Sequence, residues 1–87
     1  MAEARTRVAG MISALADDRV ADMIRFYFGI DSDKFTLLEI AAIFRTSPAG
    51  IREEMGRGLN RLLKMPSNDD ERYCLDLVGI KKTTAIS

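Results

Sequence analysis

Residues 35–64 read FTLLEIAAIFRTSPAGIREEMGRGLNRLLK. Thr36-Leu37-Leu38-Glu39 fits a capping box, in which the threonine oxygen and the glutamate each satisfy a free backbone donor at a helix start. The helix opened there turns Leu37, Ile40, Ala41 and Phe44 to one side at helical spacing. Arg45-Thr46 makes a turn. Ser47 is a natural N-cap, and Pro48 fits the first helical position, where no N–H is needed. The second helix carries Ile51, Met55, Leu59, Leu62 and Leu63 inward until Met65-Pro66 stops it. A short helix, a tight turn and a longer helix form the layout of a helix-turn-helix, whose second helix can enter a DNA groove.

Upstream, Ala4, Val8, Met11, Ile12 and Leu15 share one side of an amphipathic helix over 3–15, with Gly10 a weak point in it. Asp17 or Asp18 caps the next helix, which buries Val20, Met23, Ile24 and Phe28 and ends at Gly29. IDSDK, residues 30–34, is a polar loop. Downstream, Ser67 caps a last helix over 69–78, whose leading Asp69, Asp70 and Glu71 suit its positive end. Gly79 ends that helix. The expected fold is all-α: a small bundle of about five helices containing a helix-turn-helix. One domain spans 1–79, its helix-turn-helix core is 35–65, and 80–87 form a flexible tail.

A length of 87 residues allows one small core, and 47% apolar with 30% charged residues is an ordinary soluble composition. The formal net charge is zero. Phosphate neutralisation supplies much of the affinity of DNA-binding domains, so this balance argues against tight DNA binding by the chain alone. A single cysteine, Cys74, leaves no internal disulfide and is compatible with a reducing, cytoplasmic location. No continuous apolar run suggests a secretory signal or a membrane span.

Histidine is absent, so no zinc-ligand set or nucleophile–base pair can be assembled in the usual ways. Asp31, Asp33, Asp69, Asp70 and Glu71 lack EF-hand spacing. Neither an enzyme nor a metal or other cofactor is expected. Cys74 reads as a small apolar packing residue.

Three pieces of the chain resemble region four of bacterial primary sigma factors, over roughly residues 15–77. Arg25-Phe26-Tyr27-Phe28-Gly29-Ile30-Asp31 is similar to that family's arginine-rich helix end followed by Phe-Gly-Ile-Asp. Phe35-Thr36-Leu37-x-Glu39-Ile40-Ala41-x-x-Phe44 resembles its aromatic-Thr-Leu-x-Glu-aliphatic-small-x-x-Phe helix. Ile51-Arg52 and Gly56-Arg57-Gly58-Leu59-Asn60-Arg61-Leu62 follow its recognition helix. The three occur in order, without gaps between Phe35 and Leu62.

The resemblance implies two partners, promoter DNA and bacterial RNA polymerase. Where the family presents Thr-Arg-Glu-Arg to DNA, this chain has Ser47-Pro48-Ala49-Gly50. An arginine fork reads two guanine acceptors at once, which proline, alanine and glycine cannot do. Only Arg52 remains at a base-reading position, and Ser47 at the helix start can hold a phosphate. Arg45, Ser47, Arg52, Arg57, Arg61 and Lys64 are therefore candidates for weak, auxiliary DNA contact, the last four read as one backbone-contacting stripe. The second implied partner is the tip helix of the polymerase beta-subunit flap. Phe28, Ile30, Phe35, Leu59, Leu62 and Leu63 stand where the family's apolar groove lies, and a helix in a groove needs area and shape above all.

Such a module lacks the part of a sigma factor that melts DNA, so it would need a second transcription factor or a resident sigma factor. Free-standing modules of this kind fit a bacteriophage or a phage-derived operon. Two rival readings stand beside it: a conventional helix-turn-helix DNA-binding regulator, and a polymerase-binding adaptor or anti-sigma-type decoy. Phe26 or Tyr27 must be partly exposed beside a buried Phe28, because three adjacent helical residues cannot all point inward. Gly56 and Gly58 are read as matches to the family's small positions, in preference to points of close approach.

Overall fold

The computed structural model describes residues 2–15, 17–30 and 32–80. The fold is all-α, with five helices: α1 (Ala2–Ser13), α2 (Asp18–Phe28), α3 (Leu37–Phe44), α4 (Pro48–Lys64) and α5 (Asp69–Leu77). The helix starts follow local chemistry. The Asp17 carboxylate accepts from the N–H of Arg19 at 3.0 Å and of Val20 at 3.4 Å. At α3 the box is complete: Glu39 N–H donates to Thr36 Oγ1 at 3.2 Å, and Thr36 N–H donates to Glu39 Oε1 at 2.9 Å. Ser47 Oγ accepts from Gly50 N–H at 3.1 Å, with Pro48 in the first turn of α4. Each such cap contributes about 1 kcal/mol relative to alanine.

The last helix corrects the expected cap by one residue. Asn68 is the N-cap, its Oδ1 accepting from Glu71 N–H at 2.9 Å. Ser67 serves the same end from outside, donating its N–H and its hydroxyl to Glu71 Oε1, each at 2.9 Å. These two bonds to the charged form hold the Glu71 carboxyl below the usual carboxylate range, the backbone bond contributing most.

The helices form two layers. α2 packs on both α3 and α4, and α3 packs on α4. α1 packs on α5 and on α2, so the α1–α5 pair lies beside the α2–α3–α4 unit. One apolar core joins the layers, from Val8 and Ile12 through Met23, Ile24, Ile40, Ile51 and Met55 to Leu62 and Leu75. No side chain in the buried set is polar or charged. The inward positions expected of the first helix are all buried, Ala4, Val8, Met11 and Ile12 on α1 and Leu15 just past its end.

Four expected core residues, Val20, Phe28, Phe44 and Leu63, are only half-buried, while Ala21 is buried in their stead. Phe28 gives way because the chain turns at Gly29 (φ 67), so the last residue of α2 sits at the rim. Ile30 follows that turn into the core, its N–H donating to the Arg25 carbonyl at 2.9 Å. The fold also extends past residue 79. Gly79 (φ 93) reverses the chain, Ile80 N–H donates to Leu75 O at 2.9 Å, and Ile80 is 1% exposed. Ile80 therefore belongs to the core and not to a tail, whereas 81–87, and Asp31 in the polar loop, lie outside the described residues. No described helix is long and apolar enough to cross a membrane.

Candidate functional site

α3 and α4 are joined by three residues, Arg45, Thr46 and Ser47. The reversal depends on Arg45, which takes φ 56, the one positive φ of a non-glycine residue in the described chain. Its N–H donates to the carbonyls of Ala41 and Ala42 and closes α3. A left-handed conformation costs a residue with a Cβ about 1 kcal/mol. The side chain is exposed, as are those of Ser47, Arg52, Arg57, Arg61 and Lys64.

These cations do not form the single stripe expected. At about 100° per residue, Arg52 is turned roughly 140° from Arg57, about 180° from Arg61 and about 120° from Lys64. Steps of five residues carry a side chain away from its starting face. α4 therefore has two polar flanks. On one, Ala49, Arg52 and Asn60 are exposed, with Gly56 between them. On the other, Arg57 and Arg61 border a surface cleft of about 160 Å³ shared with Asp17, Arg19 and Glu54.

Arg57 pairs with Glu53 at 3.1 Å, with both side chains mostly exposed, so the pair adds little stability. Arg19 was not legible as a structural residue. Its Nε meets Glu54 Oε2 at 3.1 Å, and its guanidinium lies 5.3 Å from the Phe44 ring centre, tying α2 to α4 and α3 at once. The partners stand far apart in sequence, so no local signal could announce them.

The tip of α4 is tightly built. A Cβ added at Gly50 would stand 2.9 Å from Thr46 Oγ1, so a larger residue there must displace that side chain. Gly58 corrects the family-match reading: a Cβ at this buried position would run into the Val20 side chain and crowd Ile24. Close approach of α2 and α4 requires glycine there. Gly56 has no neighbour within 4 Å of such a Cβ.

The expected flap-binding residues divide in an informative way. Ile30, Leu59 and Leu62 are buried at 0, 5 and 0% exposure, and Phe28, Phe35 and Leu63 are half-buried. The first three share the core with residues of α1, α5 and Ile80. Phe26 and Tyr27 are half-buried as well. Phe26 packs edge-on against Phe35 at 5.4 Å and also faces Phe44 at 6.2 Å, while Tyr27 packs edge-on against Phe28 at 5.1 Å.

The large apolar groups that do face solvent among the described residues are others: Leu38 (72% exposed) and Ile43 (50%) on α3, and Tyr73 (63%) and Leu77 (36%) on α5. The signal for the α3 pair was present in LLEIAAIF, an almost wholly apolar helix that a two-sided environment cannot fully bury. Comparison with known proteins finds no matching family model, no matching curated protein and no matching solved structure.

Proposed function

We propose that this chain is a free-standing transcription regulator of the sigma region four type, a binding module and not an enzyme. It docks on bacterial RNA polymerase through the beta-flap tip helix and activates or redirects initiation, with auxiliary promoter DNA contact through a helix-turn-helix. It would act in the cytoplasm beside a resident sigma factor or a second factor that melts DNA.

The observation that carries the reading is the α3–turn–α4 unit. The Thr36–Glu39 box sits at positions that carry the sequence resemblance, and the Arg45 reversal and the Ser47–Pro48 start join that helix to the matched stretch from Ile51 onward. They present the outer flank of α4, with Ala49, Arg52 and Asn60, to solvent. That flank has one cation able to read a base and little else, which suits auxiliary contact better than primary recognition.

A second reading is a conventional DNA-binding regulator. Burial of Ile30, Leu59 and Leu62 beside a series of exposed cations favours it. A decoy that docks and blocks initiation shares the main reading's surface and differs in sign.

Retention of purified bacterial RNA polymerase by the tagged chain tests the proposal, with a salt-titrated DNA mobility shift in parallel. Leu63→Glu is the variant of choice, because Leu63 is half-buried while Leu62 has no exposed surface. Retention by the wild type and its loss in a folded Leu63→Glu variant is the expected result. Saturable DNA binding without polymerase retention transfers the function to the second reading. In vitro transcription then separates activation from blocking.

A further inference from the structure

α3 is apolar on its outer side as well as its inner one. Leu37, Ile40 and Ala41 are buried, while Leu38, Ala42 and Ile43 face solvent. At helical spacing Leu38 and Ala42 form one ridge, and Glu39 and Ile43 form the next beside it. Positions 38, 42 and 43 are also the ones left open in the resemblance, Thr36-Leu37-x-Glu39-Ile40-Ala41-x-x-Phe44. Neither docking on the flap nor base reading accounts for apolar residues there.

The two ends of this face carry opposite charges. Glu39 and Arg45 are both exposed, and each stands three residues from Ala42. That places each charge about 4.5 Å along the axis from Ala42, in opposite directions. Glu39 is held in place by the capping box, its Oε1 accepting from Thr36 N–H at 2.9 Å. Arg45 takes φ 56, where glycine would sit without strain, so the backbone gives no reason for a long cationic side chain at this turn.

A surface with a small residue at its centre, apolar residues around it and opposite charges equally spaced from it is complementary to itself. A twofold axis at Ala42 brings a second copy in antiparallel, its Arg45 level with Glu39 and its Glu39 level with Arg45. The small Ala42 side chains let the two helices approach closely there. A parallel arrangement would set like charges level with one another. We infer that the outer face of α3 is the contact through which two copies of this chain pair, antiparallel about Ala42. With eight residues, α3 is about 12 Å long, too short to cover the roughly 800 Å² per partner of a stable complex. The pair is therefore a weak one, in the micromolar range. It needs neither polymerase nor DNA to form. It carries two α4 tips, so the sparse DNA contact of each can be made twice on one duplex.

Sedimentation equilibrium of the chain alone, at about 5 to 500 µM, tests the pairing. The average mass should climb from 9.7 kDa toward twice that value as concentration rises. Leu38→Lys combined with Ile43→Lys changes two exposed sites, so the fold should survive, and pairing should weaken at least about tenfold. Arg45→Glu and Glu39→Lys, each confirmed as folded by circular dichroism, should each weaken pairing too, because each alone sets like charges level. An equimolar mixture of those two variants restores both opposite-charge pairs, and it should recover most of the lost affinity. A wild type that stays monomeric at every concentration overturns the pairing, as does association that the double lysine variant leaves unchanged. Failure of the mixture to recover overturns the antiparallel contact. A monomeric wild type that retains polymerase, with retention lost in the double lysine variant, overturns the pairing and gives this face to polymerase.

Discussion

Gly56 and Gly58 stand two residues apart on α4, about 200° round the helix from one another. At Gly58 a methyl group would strike Val20, and at Gly56 it would meet nothing within 4 Å. The same contrast runs along the whole helix. The inner side, with Ile51, Met55, Gly58, Leu59 and Leu62, is fixed by its fit to α2 and α3. On the outer flank Ala49 and Asn60 are exposed, and Gly56 has open space where a Cβ would stand. Where internal packing gives no reason for a residue, the reason must be sought in a partner or in mere tolerance. Arg45 sharpens the point, since it holds a left-handed conformation that glycine would adopt without strain.

The comparison breaks first at Leu62. Leu62→Glu should destabilise the fold by about 4 kcal/mol or more, because it puts an unpaired charge at a position with 0% exposure. Urea unfolding would measure this, and a loss below 1 kcal/mol would mean that the inner side is not a packed core. Gly58→Ala comes next. The stiff Val20 side chain cannot easily yield, so the expected cost is about 1–2 kcal/mol even after the gain in helix propensity. A neutral result would contradict the close approach of α2 and α4.

Gly56→Ala should have the opposite sign, raising stability by about 0.5–1 kcal/mol through propensity alone. Stabilisation accompanied by weaker polymerase or DNA binding would assign that open flank to a partner. Stabilisation with binding unchanged would leave Gly56 as tolerance. The smallest effect is electrostatic. The buried set contains no titratable side chain except Cys74, so mild acid should spare the inner side of α4. Glu71, whose carboxyl is held low by Ser67, contributes stability that is present above its unfolded value and lost as pH falls through its folded one. Below the ordinary glutamate value of about 4.3, α5 should therefore loosen before α4 does. Glu71→Gln should flatten that dependence, as read by amide exchange of α5 between pH 6 and 3, on the order of one exchange series per variant.

Much of the fold could be read before any coordinates because its signals are local. Thr36 with Glu39, Ser47 with Pro48, and Gly29 act within one helical turn, and each stands where its chemistry implied. The core faces of α1, α3 and α4 follow a period that the sequence displays directly. The misreadings fall where the answer depended on distant residues. Phe28 looked inward by its spacing, yet the chain reversal leaves it at the rim. Ile80 looked like the start of a tail, yet a turn closed by Leu75 brings it inside.

The candidate site was legible in composition more than in arrangement. Exposure of Arg45, Arg52, Arg57, Arg61 and Lys64 followed from their charge, because charged side chains are rarely fully buried. Their division between two flanks follows only when each is turned to its true angle on α4. The anchoring of Arg19 to Glu54 and Phe44 had no sequence counterpart.

The sequence by itself determined about five helices, where α3 and α4 begin and which side of most of them is apolar, since caps and periodicity operate over three or four residues. It also determined that the tip of α4 is poor in base-reading groups, because that depends on residue types alone. The tertiary structure decided which apolar residues are available to a partner. Leu59, Leu62 and Ile30 on one hand, and Leu38 and Ile43 on the other, are alike in chemistry. Only the packing of the helices separates the buried set from the exposed one, because burial depends on which helix comes to lie against which.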